Sequence, residues 1–192
     1  MSESALCQAF WREHWIERIS AQPSVASGRE SYGDEETEIL VADAIKALAL
    51  HHSDSLLDIG CAKGLMGRYL QRVSRYVGMD YIKGFRPLVV GDAIRLPFRD
   101  ATFDKTLLSG VLVCIPREWH WNVLSEMRRV TKPGGRGFVS GNLREYVHRF
   151  AHVFDAGELA RVARECGWAR AWVTQIDPRL EQARDYFDMV VE

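Results

Sequence analysis

Leu56-Leu57-Asp58-Ile59-Gly60-Cys61-Ala62-Lys63-Gly64 is the stretch on which the reading of this chain turns. Ser55–Ile59 is a short apolar run, and Leu65, Tyr69, Leu70 and Val73 follow on one helical face. The pattern predicts a strand, a glycine turn and a helix over residues Gly64–Val73. Glycine lets the chain turn tightly and lets a ligand approach the backbone. The start of the following helix presents free N–H groups and a partial positive charge. A plain strand-to-helix connection and a nucleotide-cofactor site both fit this description, because glycine-rich turns are common.

Outward from the turn the alternation continues. On its N-terminal side, Leu6, Phe10, Trp11, Trp15, Ile16 and Ile19 mark an amphipathic helix over residues 6–20. Pro23–Gly33 reads as a polar loop, and a second helix is expected from Asp34 to Leu50. On the C-terminal side, strands are expected at Tyr76–Met79, Leu88–Val90, Asp104–Leu108 and Gly137–Ser140. A helix over residues 118–130 is stopped by Thr131-Lys132-Pro133-Gly134-Gly135. Asp155 and Glu158 form an Asp-x-x-Glu variant of the capping box, opening a helix that ends at Gly167. Ala171–Ile176 and Tyr186–Val191 are expected as the last two strands. Strands alternating with helices imply an α/β fold with a mostly parallel sheet covered on both faces. Only about seven residues separate Met79 from Pro87, whereas a parallel crossover takes about a dozen. Either a crossover helix is missing there, or the third strand is short and poorly paired.

The chain has 192 residues, enough for one domain with a sizeable core. Apolar residues make up 47% and charged residues 27%, an ordinary globular balance. A net charge of −1 shows no basic excess, which disfavours nucleic acid as a partner. Cys7, Cys61, Cys114 and Cys166 lie far apart and form no CxxC pair, so they read as free thiols in a reducing compartment, with no metal site. Glu3, Arg12 and Glu13 interrupt the apolar N-terminus, so it does not read as a signal peptide. No apolar run approaches the ~20 residues of a membrane helix. The expectation is a cytoplasmic protein with no membrane contact.

In sheets of this kind, ligands bind beyond the carboxyl ends of the strands. Those ends carry Asp58, Asp80, Asp92 and Ser109. Asp80 follows Gly60 by twenty residues and is placed to accept hydrogen bonds from both ribose hydroxyls. Its plain alternative is an exposed loop acid. Asp92, in Gly91-Asp92-Ala93, is placed for an adenine amino group or, more simply, for capping a turn.

In this order, the motifs resemble the class I S-adenosylmethionine-dependent methyltransferases. The resemblance runs from Leu56 to about Ser140. It includes Leu57-Asp58-Ile59-Gly60-Cys61, Val77-Gly78-Met79-Asp80-Tyr81, Gly91-Asp92-Ala93, Leu96-Pro97-Phe98 and Phe103-Asp104. Glu126-Met127-Arg128-Arg129-Val130-Thr131-Lys132-Pro133-Gly134-Gly135 looks like that family's E-x-x-R-V-L-K-P-G-G stretch. The series is similar to its small-molecule branch, type 11. The resemblance implies a Rossmann-like seven-stranded sheet of order 3-2-1-4-5-7-6, with an antiparallel seventh strand. It implies a single domain over residues 1–192, with an N-terminal helical lid (1–52) and a core (53–192). It implies S-adenosylmethionine as cofactor and S-adenosylhomocysteine as product. The implied cofactor set is Tyr32, Asp58, Gly60, Cys61, Ala62, Gly64, Asp80, Tyr81, Asp92, Ala93, Ser109 and Gly110. Two residues depart from the pattern. Ala62 stands where the family usually has Gly, and Val113-Cys114 stands where many relatives have Glu-His.

An NAD-binding Rossmann oxidoreductase is the nearest competitor, since Ala62-Lys63-Gly64-Leu65-Met66-Gly67 is close to G-x-G-x-x-G. Asp58 beside the turn would repel a pyrophosphate but favours an ammonium and a sulfonium. Opposite charges at ~4 Å are worth about 4 kcal/mol at an effective dielectric of 20, before desolvation. The expected activity is methyl transfer to an O or N atom of a small molecule (EC 2.1.1.-). A methyltransferase-like binding protein without turnover is the alternative that the missing histidine suggests. Candidate bases lie after the fifth strand at Tyr146, His148 and His152. Trp11 and Trp15 are candidates to cover the substrate, or simply to pack on the core. The acceptor and the oligomeric state stay open at this level.

Overall fold

The computed structural model describes residues 34–85, 87–142, 156–174 and 186–192, together with Leu6, Ala9, Phe10, Arg12, Glu13 and Glu17, all six helical. Most of the expected helix 6–20 lies outside the described residues, as do Tyr32, Tyr146, His148, His152, Trp11, Trp15 and Asp155. The elements are α1 (Asp34–Leu48), β1 (Ser55–Ile59), α2 (Gly67–Leu70), β2 (Arg75–Asp80) and β3 (Val89–Val90), then β4 (Phe103–Ser109), α3 (His120–Val130), β5 (Thr131–Asn142), α4 (Ala156–Glu165), β6 (Ala171–Thr174) and β7 (Tyr186–Val191).

The seven strands form one sheet of order β3-β2-β1-β4-β5-β7-β6. β1 pairs in parallel with β2 and β4, β2 with β3, and β4 with β5. β7 runs antiparallel to β5 and β6. This is the expected order. Its cause is visible in the apolar doublets of the strands. Leu56, Leu107, Phe138 and Val190 face one side, where Val41, Ala44 and Leu48 of α1 and Leu70 of α2 cover them. Their chain neighbours Leu57, Leu108, Val139 and Val191 face the other, against Val123, Leu124 and Met127 of α3 and Leu159 and Ala163 of α4. Adjacent strand residues point to opposite faces, so two-residue apolar runs are what a sheet buried on both sides needs. Asp34–Leu48, grouped with the lid by sequence, thus packs on the sheet.

Several expected elements differ in extent. The helix over Gly64–Val73 reduces to Gly67–Leu70. Gly64 has φ +72°, outside the helical region, and Arg72 and Val73 donate to carbonyls three residues back, at Tyr69 and Leu70. The third strand is two residues long, pairing Val89 with Met79 and Val90 with Asp80. Its crossover from β2 holds a single 3-10 turn, Lys83–Phe85, with Ile82 and Phe85 buried where a helix would pack. Both possibilities raised for this interval therefore hold together. Residues 117–119 form a 3-10 turn ahead of α3. β5 begins at Thr131, before the Pro-Gly-Gly stretch, because Thr131 already pairs with Phe103. A register shift then absorbs the bulge before Lys105 meets Arg136. Gly134 turns there with φ +75°. The helix ending at Gly167 is α4, and Gly167 has φ +90° as a left-handed terminator should.

Candidate cofactor site

The carboxyl ends of β1, β2 and β4 meet around the turn that follows β1. Gly60, Ala62 and Gly64 all take positive φ, at +78°, +48° and +72°. Alternate left-handed residues coil the chain back on itself. At Gly60 glycine is required twice over, since a Cβ would also stand 2.2 Å from Val111 Cγ2. The amides of Gly60 and Cys61 both donate to the Met79 carbonyl, at 2.8 and 3.0 Å. Ala62 occupies the left-handed conformation with a side chain, which costs about 1–2 kcal/mol for an L-residue. Its amide donates to Asp80 Oδ2 at 2.9 Å.

Asp80 is buried and joins two loops. Besides Ala62, the Ile82 amide donates to its Oδ1 at 2.8 Å. Burial pushes this carboxyl above the ordinary carboxylate range, opposed by hydrogen bonds from the Ile82, Ala62 and Tyr81 amides. A carboxylate offers about four acceptor sites, so acceptor capacity remains for a ligand hydroxyl. Tyr81 follows it at the surface.

Asp58 is buried at the end of β1, on the face shared with Leu56, and its Oδ2 accepts a 2.7 Å hydrogen bond from the Tyr76 hydroxyl. In the sequence Tyr76 is an ordinary strand residue. Its role depends on the β1–β2 register, in which Gly78, two residues further along β2, pairs with Asp58. Burial and the Asp58 charge push the Tyr76 phenol far up. Burial, with Asp58 and Asp80 adding to it, pushes the Cys61 thiol up to about 12. Both groups are neutral at physiological pH, so Cys61 is a poor nucleophile.

Asp92 follows β3 and makes an Asx turn: its Oδ1 accepts from Ile94 N at 3.1 Å, and its carbonyl accepts from Arg95 N. Ala93 beside it is buried. The loop that continues from here is fixed by the motif on α3. Glu126 Oε2 accepts from Leu96 N at 2.7 Å. Arg129 donates to the carbonyls of Phe98 and Leu96, to Asp100 and to both oxygens of Glu126. Lys132 Nζ reaches Asp104 Oδ1 at 2.8 Å, at the start of β4. Glu126 and Arg129 therefore brace the loop between β3 and β4, and Lys132 the start of β4.

Beyond β4, Ser109 Oγ and Ser140 Oγ lie 2.6 Å apart, and Gly110 N donates to Ser140 O at 2.9 Å with φ +69°. The next turn, Leu112–Cys114, is held by buried His120. Its Nε2 lies 2.9 Å from Ile115 O and 3.3 Å from Leu112 O, and since both partners are acceptors Nε2 carries the proton. Val113 is buried and Cys114 half-buried. Glu158, half of the expected capping box, is paired with Arg117. Among the described residues, no group of three or more His, Cys, Asp or Glu is placed to hold a metal ion.

A family model described as a methyltransferase domain matches residues 57–139, the stretch that carries this whole arrangement from β1 into β5. Over that stretch the chain is similar to the S-adenosylmethionine-dependent methyltransferases. Within that family, demethylmenaquinone methyltransferase of Bacillus cereus strain B4264 is 30% identical over 130 residues, 66% of this chain and 48% of that protein. The chain thus spans about half the length of the curated relatives it matches. Two solved methyltransferases share the fold. The 1,6-didemethyltoxoflavin-N1-methyltransferase of Burkholderia thailandensis, with 1,6-didemethyltoxoflavin and S-adenosylhomocysteine bound, has a TM-score of 0.78 at 18% identity, covering 100% of this chain and 90% of that one. Phosphoethanolamine N-methyltransferase 1 of Haemonchus contortus, with phosphoethanolamine and S-adenosylhomocysteine bound, has a TM-score of 0.81 at 12% identity, covering 99% of this chain and 49% of that one. For the family's glycine motif, the structure explains the spacing: each glycine position is a left-handed one, and Ala62 is the residue that departs.

Proposed function

We propose that this chain binds S-adenosylmethionine across the carboxyl ends of β1 and β2 and transfers its methyl group to an O or N atom of a small molecule. The observation that carries the reading is the pair of buried carboxylates, Asp58 and Asp80, flanking a turn of alternating left-handed residues. When bound, S-adenosylmethionine supplies a methyl carbon activated by its sulfonium. The chain's own residues hold and orient it. Asp80 accepts from the ribose hydroxyls, Asp58 offers negative charge to the cationic amino-acid end, and Asp92 and Ala93 border the adenine. Ser109 and Gly110 close the site beside β4. Tyr32 would complete it, with Tyr146, His148 and His152 as the candidate bases for an acceptor that must lose a proton. Methyl acceptors of the related enzymes, such as demethylmenaquinone or 1,6-didemethyltoxoflavin, are starting points for a substrate screen.

Buried Asp58 also argues against a nicotinamide dinucleotide, whose pyrophosphate it would repel. Calorimetry separates the two. Micromolar binding of S-adenosylmethionine and S-adenosylhomocysteine is expected, weakened at least about tenfold in Asp80→Ala, the scale of losing hydrogen bonds to a charged group. Tight NAD binding, with no binding of either sulfur compound, would overturn the proposal.

A further inference from the structure

Tyr76 occupies a slot made for it by two glycines. A Cβ on Gly67 would stand 2.6 Å from the Tyr76 hydroxyl, and one on Gly78 would stand 2.9 Å from the same atom. Tyr76 pairs with Leu56, and Gly78 with Asp58, in the β1–β2 register. The phenol therefore runs along the sheet face, over the bare backbone of Gly78, and reaches the acid two pairs further toward the site. There it donates to Asp58 Oδ2 at 2.7 Å. The Cys61 thiol closes the same space, since the Gly78 Cβ would meet its Sγ at 2.9 Å.

We infer that Tyr76 is a positioning residue for the cofactor's cationic amino-acid end, acting through Asp58. The inference rests on the function proposed above. Its physical content is orientation without neutralisation. A lysine or arginine at this place would hold the carboxylate equally well but would cancel its charge. A phenol restrains the carboxylate's rotation and leaves the negative charge intact. The elevated proton affinity of the phenol keeps it a neutral donor throughout the physiological range. A carboxylate held in place before the ligand arrives loses less freedom on binding.

The test compares two ligands. S-adenosylhomocysteine has the amino-acid portion; 5′-methylthioadenosine keeps adenine, ribose and sulfur but lacks it. By calorimetry, Tyr76→Phe is expected to weaken S-adenosylhomocysteine about tenfold, the scale of one hydrogen bond to a charged group. The affinity for 5′-methylthioadenosine is expected to stay within about twofold, since a positioning effect through Asp58 does not reach the nucleoside. In an Asp58→Asn background, adding Tyr76→Phe is expected to change little further. Gly78→Ala, which narrows the slot, serves as the second variant and is expected to show the same ligand selectivity. Equal losses for the two ligands, additive effects in the double variant, or no loss in Tyr76→Phe would each overturn the inference. A parent protein that binds neither ligand overturns the proposed function as well. A parent that binds both, with an unselective Tyr76→Phe, removes only the role given to Tyr76.

Discussion

Ala62 holds a backbone conformation that glycine adopts freely, with φ +48°. The left-handed region costs a residue with a Cβ about 1–2 kcal/mol, while glycine adds about 0.5–1 kcal/mol of unfolded-state entropy to be lost. Ala62→Gly is therefore expected to raise stability by about 0.5–1 kcal/mol, read as a shift in the urea midpoint. At Gly60 the sign reverses. Gly60→Ala combines the same backbone strain with a Cβ 2.2 Å from Val111 Cγ2. A loss of more than about 2 kcal/mol is expected by the same urea measurement, since strain and overpacking add. Cys61, between these two positions, is expected to resist alkylation. Its half-buried thiol is pushed up to about 12, so iodoacetamide at pH 8 should label it far more slowly than an exposed cysteine. Peptide mass mapping reads this directly, and rapid native labelling would show that the burial assigned to Cys61 is wrong.

At the scale of elements, the loop between β3 and β4 shows how a charged motif serves the fold. Arg129 and Glu126 hold the backbone of Leu96 and Phe98 from α3. Arg129→Ala leaves Glu126 without its cation and two carbonyls without donors, and is expected to cost about 1–3 kcal/mol in urea unfolding. Arg129→Lys should recover little, because an ammonium cannot reproduce the planar fork. Elements marked by short apolar runs or by apolar residues at helical spacing are legible in the sequence: Ser55–Ile59 and Tyr186–Val191 appear with the expected bounds, and α1 nearly so. The helix is shorter than the spacing over Gly64–Val73 predicts, because helical spacing of side chains says nothing about a positive φ at Gly64. The Pro-Gly-Gly stretch predicts a break between helix and strand, but it lies inside β5, because Thr131 pairs with Phe103, a long-range fact. Within the site, acids at strand ends could be placed from the alternation alone. Tyr76 could not, since its bond to Asp58 depends on the β1–β2 register and on a missing side chain at Gly78.

Across the whole molecule, Asp80 at the site and the scaffold acids Asp104 and Glu126 are shifted in opposite directions. Burial alone would raise Asp104, but hydrogen bonds from Lys132 and Ser55 outweigh it and hold the carboxyl below the usual range. Hydrogen bonding to Arg129 lowers Glu126 against the opposing effect of burial. A carboxyl that is more acidic in the folded state contributes stability above its unfolded pKa of about 4 and loses it as pH falls toward the folded value. Asp80 has the reverse sign. Its folded carboxyl takes up a proton more readily than an unfolded one, so protonation as pH falls favours the folded state while removing an acceptor from the site. Cofactor affinity is therefore expected to decline at a higher pH than the fold itself. Calorimetric titration with S-adenosylhomocysteine and urea unfolding, each repeated between pH 7 and pH 3, should show affinity falling above about pH 4 while the urea midpoint is still near its neutral value. Asp104→Asn should lower the midpoint at neutral pH and flatten its acid limb, without moving the pH at which affinity falls. Coincident midpoints for binding and unfolding would mean that Asp80 and the scaffold carboxylates titrate together, contrary to the environments the structure gives them.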